Sequence, residues 1–254
     1  MPPWEDGAIE EGSGTGKCQY RVLLPNDYHE TNHAYPVLYL LHGLFGSFEN
    51  WTELAGLRSP ADLIIVMPDG ADGWFCDGVR KSDMFESRIV RRLIPTIEAR
   101  FRTNATRAGR SIAGNSMGGY GALKIALKFP RLFWFAASLS GAFEAPDWSD
   151  VCKPENWEEY RPPILRIFGK VGSRVRMEND LYGLACKADL SELPEIVFNC
   201  GTSDAFLPAN ERLARTMQAA GVPHRFEAVH GGHDWDYWAE QIAPIVRMAA
   251  KHRN

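Results

Sequence analysis

Two apolar runs constrain this chain more tightly than any other feature. Pro36-Val37-Leu38-Tyr39-Leu40-Leu41-His42 and Leu63-Ile64-Ile65-Val66-Met67-Pro68 carry no charge and have the length of strands. A strand with one wet face alternates polar and apolar residues. One that is apolar throughout suits a parallel sheet covered by helices on both sides. Residues 18–24 do alternate, with Tyr20, Val22 and Leu24 on one face, as in a half-buried strand. Further strand patterns lie at 110–115, 133–140, 195–200 and 225–229. Helical spacing lies at 83–101, 117–129, 208–220 and 235–252. Pro95 is expected to kink or bound the first of these helices, and Gly221 to stop the third. The alternation predicts an α/β fold with a mainly parallel central sheet and helices on both faces.

The chain has 254 residues, a length that fits one domain, with 45% apolar and 24% charged residues. We therefore expect a single domain over 1–254, with a loose Gly- and Glu-rich arm at 1–16. Residues 141–188 break the rhythm with Pro146, Pro154, Pro162 and Pro163, and are expected to form a cap-like insertion of short helices on the rim. The net charge of -4 argues against a nucleic-acid partner, which would call for a basic excess. No run is long enough to span a membrane. The start of the chain has neither the basic nor the apolar segment of a signal peptide. Five Cys without C-x-x-C spacing argue against a disulfide framework or a structural zinc site. A cytoplasmic location is expected; a secreted protein with its leader removed and a homo-oligomer both stay open. Neither a cofactor nor a metal is expected.

In open α/β sheets ligands bind at the carboxyl ends of the strands, so the loops that follow strands carry the chemistry. Gly114-Asn115-Ser116-Met117-Gly118-Gly119 is a G-x-S-x-G motif between a strand pattern and a helix pattern. That context marks a sharp turn with Ser116 at its apex. The flanking glycines remove Cβ atoms that would collide across the turn. Ser47 and Ser140 are weaker rivals, since neither has these flanks.

A serine hydroxyl needs a hydrogen-bonded base to become nucleophilic. His233 lies in His230-Gly231-Gly232-His233-Asp234, after the last strand pattern and on the same rim. His230 is the nearest alternative, and the His230–Asp236 cluster could suggest a metal, but no further ligand group supports one. His42, at the end of a central strand, reads as a buried structural residue. Asp204, in Gly201-Thr202-Ser203-Asp204, is placed to orient the base; Asp180 and Asp189 are the alternatives. The order Ser116, Asp204, His233 is that of an α/β-hydrolase triad.

Oxyanion donors are expected from the backbone N–H of Met117, at a helix N-terminus, and of Leu44, in His42-Gly43-Leu44-Phe45-Gly46; Phe45 is the less favoured alternative. Gly43 lets the backbone come close to a substrate. Eight Trp occur, several beside rim loops. Trp74, in the Gly-rich segment 69–77, is the first choice for a pocket wall, with Trp235 next to the base as a further substrate contact.

Taken together, the segment 35–43, the elbow through Gly119-Tyr120-Gly121-Ala122-Leu123, Gly201-Thr202-Ser203-Asp204 and Gly232-His233-Asp234-Trp235 resemble the esterase D-like group of α/β-hydrolases. That group includes S-formylglutathione hydrolases, tributyrin esterases, feruloyl esterases and antigen-85-type acyltransferases. Gly73-Trp74-Phe75 and Asn179-Asp180-Leu181 are most similar to the tributyrin-esterase-like members. Asn115 departs from the small or apolar residue, or His, of many relatives. The resemblance implies the α/β-hydrolase fold and the same triad. The expected activity is a serine carboxylesterase acting on short-chain acyl esters. Feruloyl or acetyl-xylan-type esters, S-formylglutathione thioester hydrolysis and a carbohydrate-binding protein on a hydrolase scaffold are the alternatives.

Overall fold

The computed structural model describes residues 4–10, 17–58 and 62–251. Eight strands form one sheet in the order β1-β2-β4-β3-β5-β6-β7-β8. They are β1 (Trp4–Glu10), β2 (Lys17–Leu23), β3 (Val37–Leu41), β4 (Ile64–Pro68), β5 (Arg110–Asn115), β6 (Phe135–Leu139), β7 (Glu195–Gly201) and β8 (Arg225–Val229). β2 pairs antiparallel with both β1 and β4, and all other neighbours are parallel. β3, β4 and β6 are buried at every position, as the apolar runs of β3 and β4 require; β6 also buries Ser138.

The helices are α1 (Asn50–Glu53), α2 (Phe85–Arg88), α3 (Ile94–Arg100), α4 (Met117–Lys128), α5 (Trp157–Phe168), α6 (Arg174–Glu178), α7 (Leu181–Cys186), α8 (Leu207–Ala219) and α9 (Trp235–Ala249). β3 shows how the two layers are served. Val37, Tyr39 and Leu41 enter one core with residues of α2–α5, α7 and α8, whereas Leu38 and Leu40 enter a second core under α9. None of the described helices is long and apolar enough to cross a membrane.

Two expectations need correction, and a third, at Pro95, gains detail. Residues 4–10 are not a loose arm: they form β1, held to β2 by a full ladder and by Arg21, whose guanidinium pairs with Asp6 at 2.8 Å and lies over the Trp4 ring. Residues 11–16 lie outside the described residues, as does His252, where the final helical pattern of the sequence ends. In the 141–188 segment, α5 is a full 12-residue helix carrying Pro162 and Pro163 inside it, not one of several short pieces. The boundary at Pro95 is a π-helical turn, Ile89–Leu93, that joins α2 to α3. Proline has no N–H and its ring crowds the carbonyl one turn back, and the wider turn just before it makes room.

A buried charge cluster fastens α4 to the loop after β4. Lys124, fully buried, meets Glu86 at 2.7 Å and donates to the Phe75 carbonyl at 2.5 Å. Lys128 reaches the other Glu86 oxygen at 2.7 Å. Burial pushes the Glu86 carboxyl up, but the two ammonium groups outweigh it and hold the group below its ordinary 4.5. Its stabilisation is therefore present above that value and is lost as the pH falls through the depressed one. Glu86→Gln leaves Lys124 buried without its counter-charge and should cost about 3 kcal/mol. Urea unfolding at neutral pH should show this loss. The variant's midpoint should also fall less steeply on acidification than that of the parent.

Candidate active site

The chain turns from β5 into α4 at Ser116, whose φ of 52° and ψ of -117° lie outside the regions that L-residues favour. The Ser116 N–H donates to the Leu139 carbonyl at 2.9 Å, so the neighbouring strand β6 holds the apex in place. The turn is closed on both sides. A Cβ at Gly114 would lie 2.5 Å from the Gly118 backbone, and one at Gly118 would lie 2.5 Å from the Leu41 carbonyl oxygen. Only glycine allows α4 to start this close to the end of β3.

β7 and β8 bring two further side chains to the same rim. The Asp204 side chain is fully buried, and the Phe206 N–H donates to its Oδ1 at 2.8 Å. Its Oδ2 lies 2.8 Å from His233 Nδ1, and His233 Nε2 lies 3.0 Å from Ser116 Oγ. Burial pushes the Asp204 carboxyl up. His233, the Phe206 N–H and the Ser140 hydroxyl more than offset this and hold it below its ordinary 3.8. An ionised Asp204 can only accept, so the Nδ1 proton of His233 points at it and the Nε2 lone pair faces Ser116. Phe206 and Trp238 stand edge-on to the imidazole from two sides, at 4.8 and 4.9 Å between centroids.

The loop after β3 is set by His42, which is buried. The Gly70 N–H donates to His42 Nε2 at 2.8 Å, so that nitrogen bears no proton. The proton is on Nδ1, which donates to the Gly43 carbonyl at 2.7 Å. The Gly46 N–H adds a second bond to the same carbonyl at 3.1 Å. In a trans peptide the N–H points opposite to the C=O, so clamping the Gly43 oxygen also aims the Leu44 N–H. The Phe45 N–H is already engaged, donating to Asp72 Oδ1 at 3.3 Å. Of the two candidate donors, the Phe45 N–H is thus spoken for, whereas the Leu44 N–H belongs to the peptide that His42 clamps. The Met117 N–H opens α4 without an intrahelical acceptor.

Two clefts flank His233. One, of about 470 Å³, is lined by Gly43, Leu44, Ser116, Trp235 and Trp238 among others; the second, of about 460 Å³, by Trp148, Lys153, Glu155 and Phe206 among others. Gly43 and Trp235 line the first cleft. Trp74 does not. It is buried against Tyr120, Trp148 and Phe168 and lines neither cleft. Positive φ at Ala71, Trp74 and Phe75 turns the loop's aromatic pair inward. The other candidates have local roles. Asp180 caps α7 by accepting from the Tyr182 and Gly183 N–H groups, Asp189 accepts from Ser191, and Ser47 pairs with Asn50. Ser140 is fully buried. Residues that sequence reasoning missed are Tyr160, which lines both clefts, and Phe206 and Trp238, which frame the imidazole. The only signal for them was an aromatic count spread over the whole chain.

The sequence profile of the esterase family matches residues 13–249. An acetyl esterase of Caldicellulosiruptor saccharolyticus is 28% identical over 224 residues, covering 84% of this chain and 83% of that protein. An esterase of Mycobacterium tuberculosis is 33% identical over 237 residues, covering 84% of this chain, which spans only 51% of that relative's length. Among solved structures, the Staphylococcus aureus fluorophosphonate-binding serine hydrolase FphF superimposes with a TM-score of 0.84 at 24% identity, covering 99% of this chain and 100% of that one. A ferulic acid esterase gives 0.82 at 24% identity, covering 99% and 98%. These likenesses show a shared fold, the α/β-hydrolase fold expected from the sequence, and the profile match extends over nearly the whole chain: it belongs to the esterase family.

Proposed function

We propose that the protein is a serine carboxylesterase whose nucleophile, base and acid are Ser116, His233 and Asp204. The observation that carries this reading is the relay from Ser116 Oγ through His233 to Asp204, with links of 3.0 and 2.8 Å. His233 Nε2 takes the Ser116 proton as Oγ attacks the ester carbonyl. The imidazolium that forms is stabilised by the buried Asp204 carboxylate. The N–H groups of Leu44 and Met117 converge on the developing oxyanion, at the positive end of α4. His233 returns the proton to the departing alcohol, then deprotonates the water that releases the acid and regenerates Ser116.

Short acyl chains suit the cleft that holds Ser116, whose volume is about 470 Å³. The relative named as an acetyl esterase supports that choice. A relative named endo-1,4-beta-xylanase/feruloyl esterase is 35% identical over 151 residues, and a mouse S-formylglutathione hydrolase is 25% identical over 278 residues. These keep the two alternative ester classes in any substrate panel. All five cysteines are free, in keeping with a cytoplasmic protein.

Fluorophosphonate labelling tests the nucleophile: the parent should be labelled at Ser116, and Ser116→Ala should lose both labelling and turnover of p-nitrophenyl acetate. Retained turnover would sink the proposal. Asp204→Asn keeps the shape but favours the wrong imidazole tautomer, and should lower kcat by about 10⁴-fold at neutral pH. His42→Ala frees the Gly43–Leu44 peptide and should lower kcat by about 10²-fold, as for a lost oxyanion donor. Leu44→Ala, which keeps the backbone, should remain within about threefold of the parent. Steady-state kinetics on the three variants checks the ordering.

A further inference from the structure

We infer that the cleft between the cap and the loop after β7 is the leaving-group subsite, and that its rim favours neutral, ring-sized alcohols over anionic ones. This rests on the serine-esterase reading and adds to it which side of the ester each cleft receives. The two clefts share only Tyr160 and His233 among their lining residues. The first contains Ser116 and Leu44, so it meets the carbonyl carbon and the oxyanion. The second touches the triad at His233 and Asp204 and contains neither Ser116 nor the oxyanion loop. In the tetrahedral intermediate one oxygen lies between the Leu44 and Met117 N–H groups, and the departing oxygen must face His233 Nε2 to receive its proton. A group that reaches the triad only past His233 is therefore attached to the departing oxygen.

The walls of this cleft are flat and aromatic. Tyr160 stacks on Trp148 at 5.4 Å and 13°, and Phe206 leans on Trp148 at 5.7 Å while its edge contact reaches the His233 ring. Arg176, a buried guanidinium, fixes the Trp148 wall by donating to the Trp148 and Pro146 carbonyls at 2.8 and 2.6 Å. The rim provides donors and acceptors in Lys153, Asn156 and Glu155 but no excess of positive charge. Glu144 is met by Arg212 at 3.2 Å, which leaves Glu155 to balance Lys153. Behind the rim, burial first and then Asp180 push the Asp147 carboxyl up from its ordinary 3.8, while Arg212 and Arg176 pull it back, so no unpaired cation is added there. An anionic leaving group would shed water here without gaining a net positive partner, whereas a neutral ring bearing hydroxyls finds both stacking surface and hydrogen bonds.

The test uses aryl acetates whose phenols have matched acidity, one series neutral (hydroxymethyl) and one anionic (carboxylate) at the far edge of the ring. A second series varies the acyl chain from acetyl to hexanoyl on one phenol. The parent should favour the neutral aryl acetate by about fivefold or more in kcat/KM. Glu155→Lys should shrink that ratio by about fivefold at low salt and Lys153→Glu should widen it, with both effects fading as salt rises. All acetyl esters share one acetyl-enzyme, so a leaving-group subsite alters acylation and leaves the deacylation rate common to the series. If the variants instead reorder the acyl series or move deacylation, the cleft holds the acyl chain and the inference is wrong. If the ratio responds to neither variant, the rim does not select and the inference is also wrong. Fluorophosphonate labelling runs in parallel: loss of Ser116 labelling in the parent would overturn the parent reading, whereas labelling with an unresponsive ratio overturns the subsite alone.

Discussion

Everything at the rim depends on one close approach, that of the first turn of α4 to the end of β3. The Gly118 backbone sits where a Cβ would fall 2.5 Å from the Leu41 carbonyl oxygen and 2.6 Å from that of His42. Because β3 and β5 are neighbours in register from Val37↔Arg110 to Leu41↔Gly114, the apex serine and the loop that follows β3 are forced side by side. Gly43 then passes 3.5 Å from Ser116 Cβ by the same measure. A serine strained at φ 52° and an aimed Leu44 N–H are two outcomes of one packing contact. The strain is borne because β6, through the Leu139 carbonyl, and α4, through the Tyr120 N–H, both bind the Ser116 backbone.

The parts of this arrangement that the sequence discloses are those decided by the local chain. The strand runs, the G-x-S-x-G turn, the terminal glycine at Gly221 and the loops bearing Asp204 and His233 follow from steric rules acting over a few residues. β5 and β8 fall at the boundaries read from the pattern, Arg110–Asn115 and Arg225–Val229. The parts that stay hidden depend on distant partners. β1 is a strand because its backbone completes a ladder and because Asp6 meets a buried Arg21, neither of which shows in a Gly- and Glu-rich composition. Trp74 faces inward because three residues of its loop adopt positive φ and because Tyr120 and Phe168 offer it a surface. Tyr160 enters the site only because α5, despite its two internal prolines, is laid across the rim.

The tryptophans illustrate how a count becomes a geometry. Trp51 meets Trp235, Trp235 meets Trp238, and Trp238 meets His233 in successive edge-on contacts. On the other side of the imidazole Phe206, Trp148, Tyr160 and Phe45 continue the series. Aromatic rings give large contact area with few torsions to immobilise. They hold the His233 ring in one orientation by contact alone.

The residues between β6 and β7 leave the sheet after Leu139 and return at Glu195, into two strands that are direct neighbours. The ladder between those strands holds the elbow's backbone partner Leu139 opposite Asn199 whatever is threaded between them. The loop that carries Asp204 follows the far end of β7, and His233 comes later still. Beyond Ala142, whose N–H still donates to the Ser116 carbonyl at 3.2 Å, the segment can therefore change length without altering that strand register. The register of the sheet and the Trp148–Tyr160 face of the second cleft are thus set by separate stretches of chain.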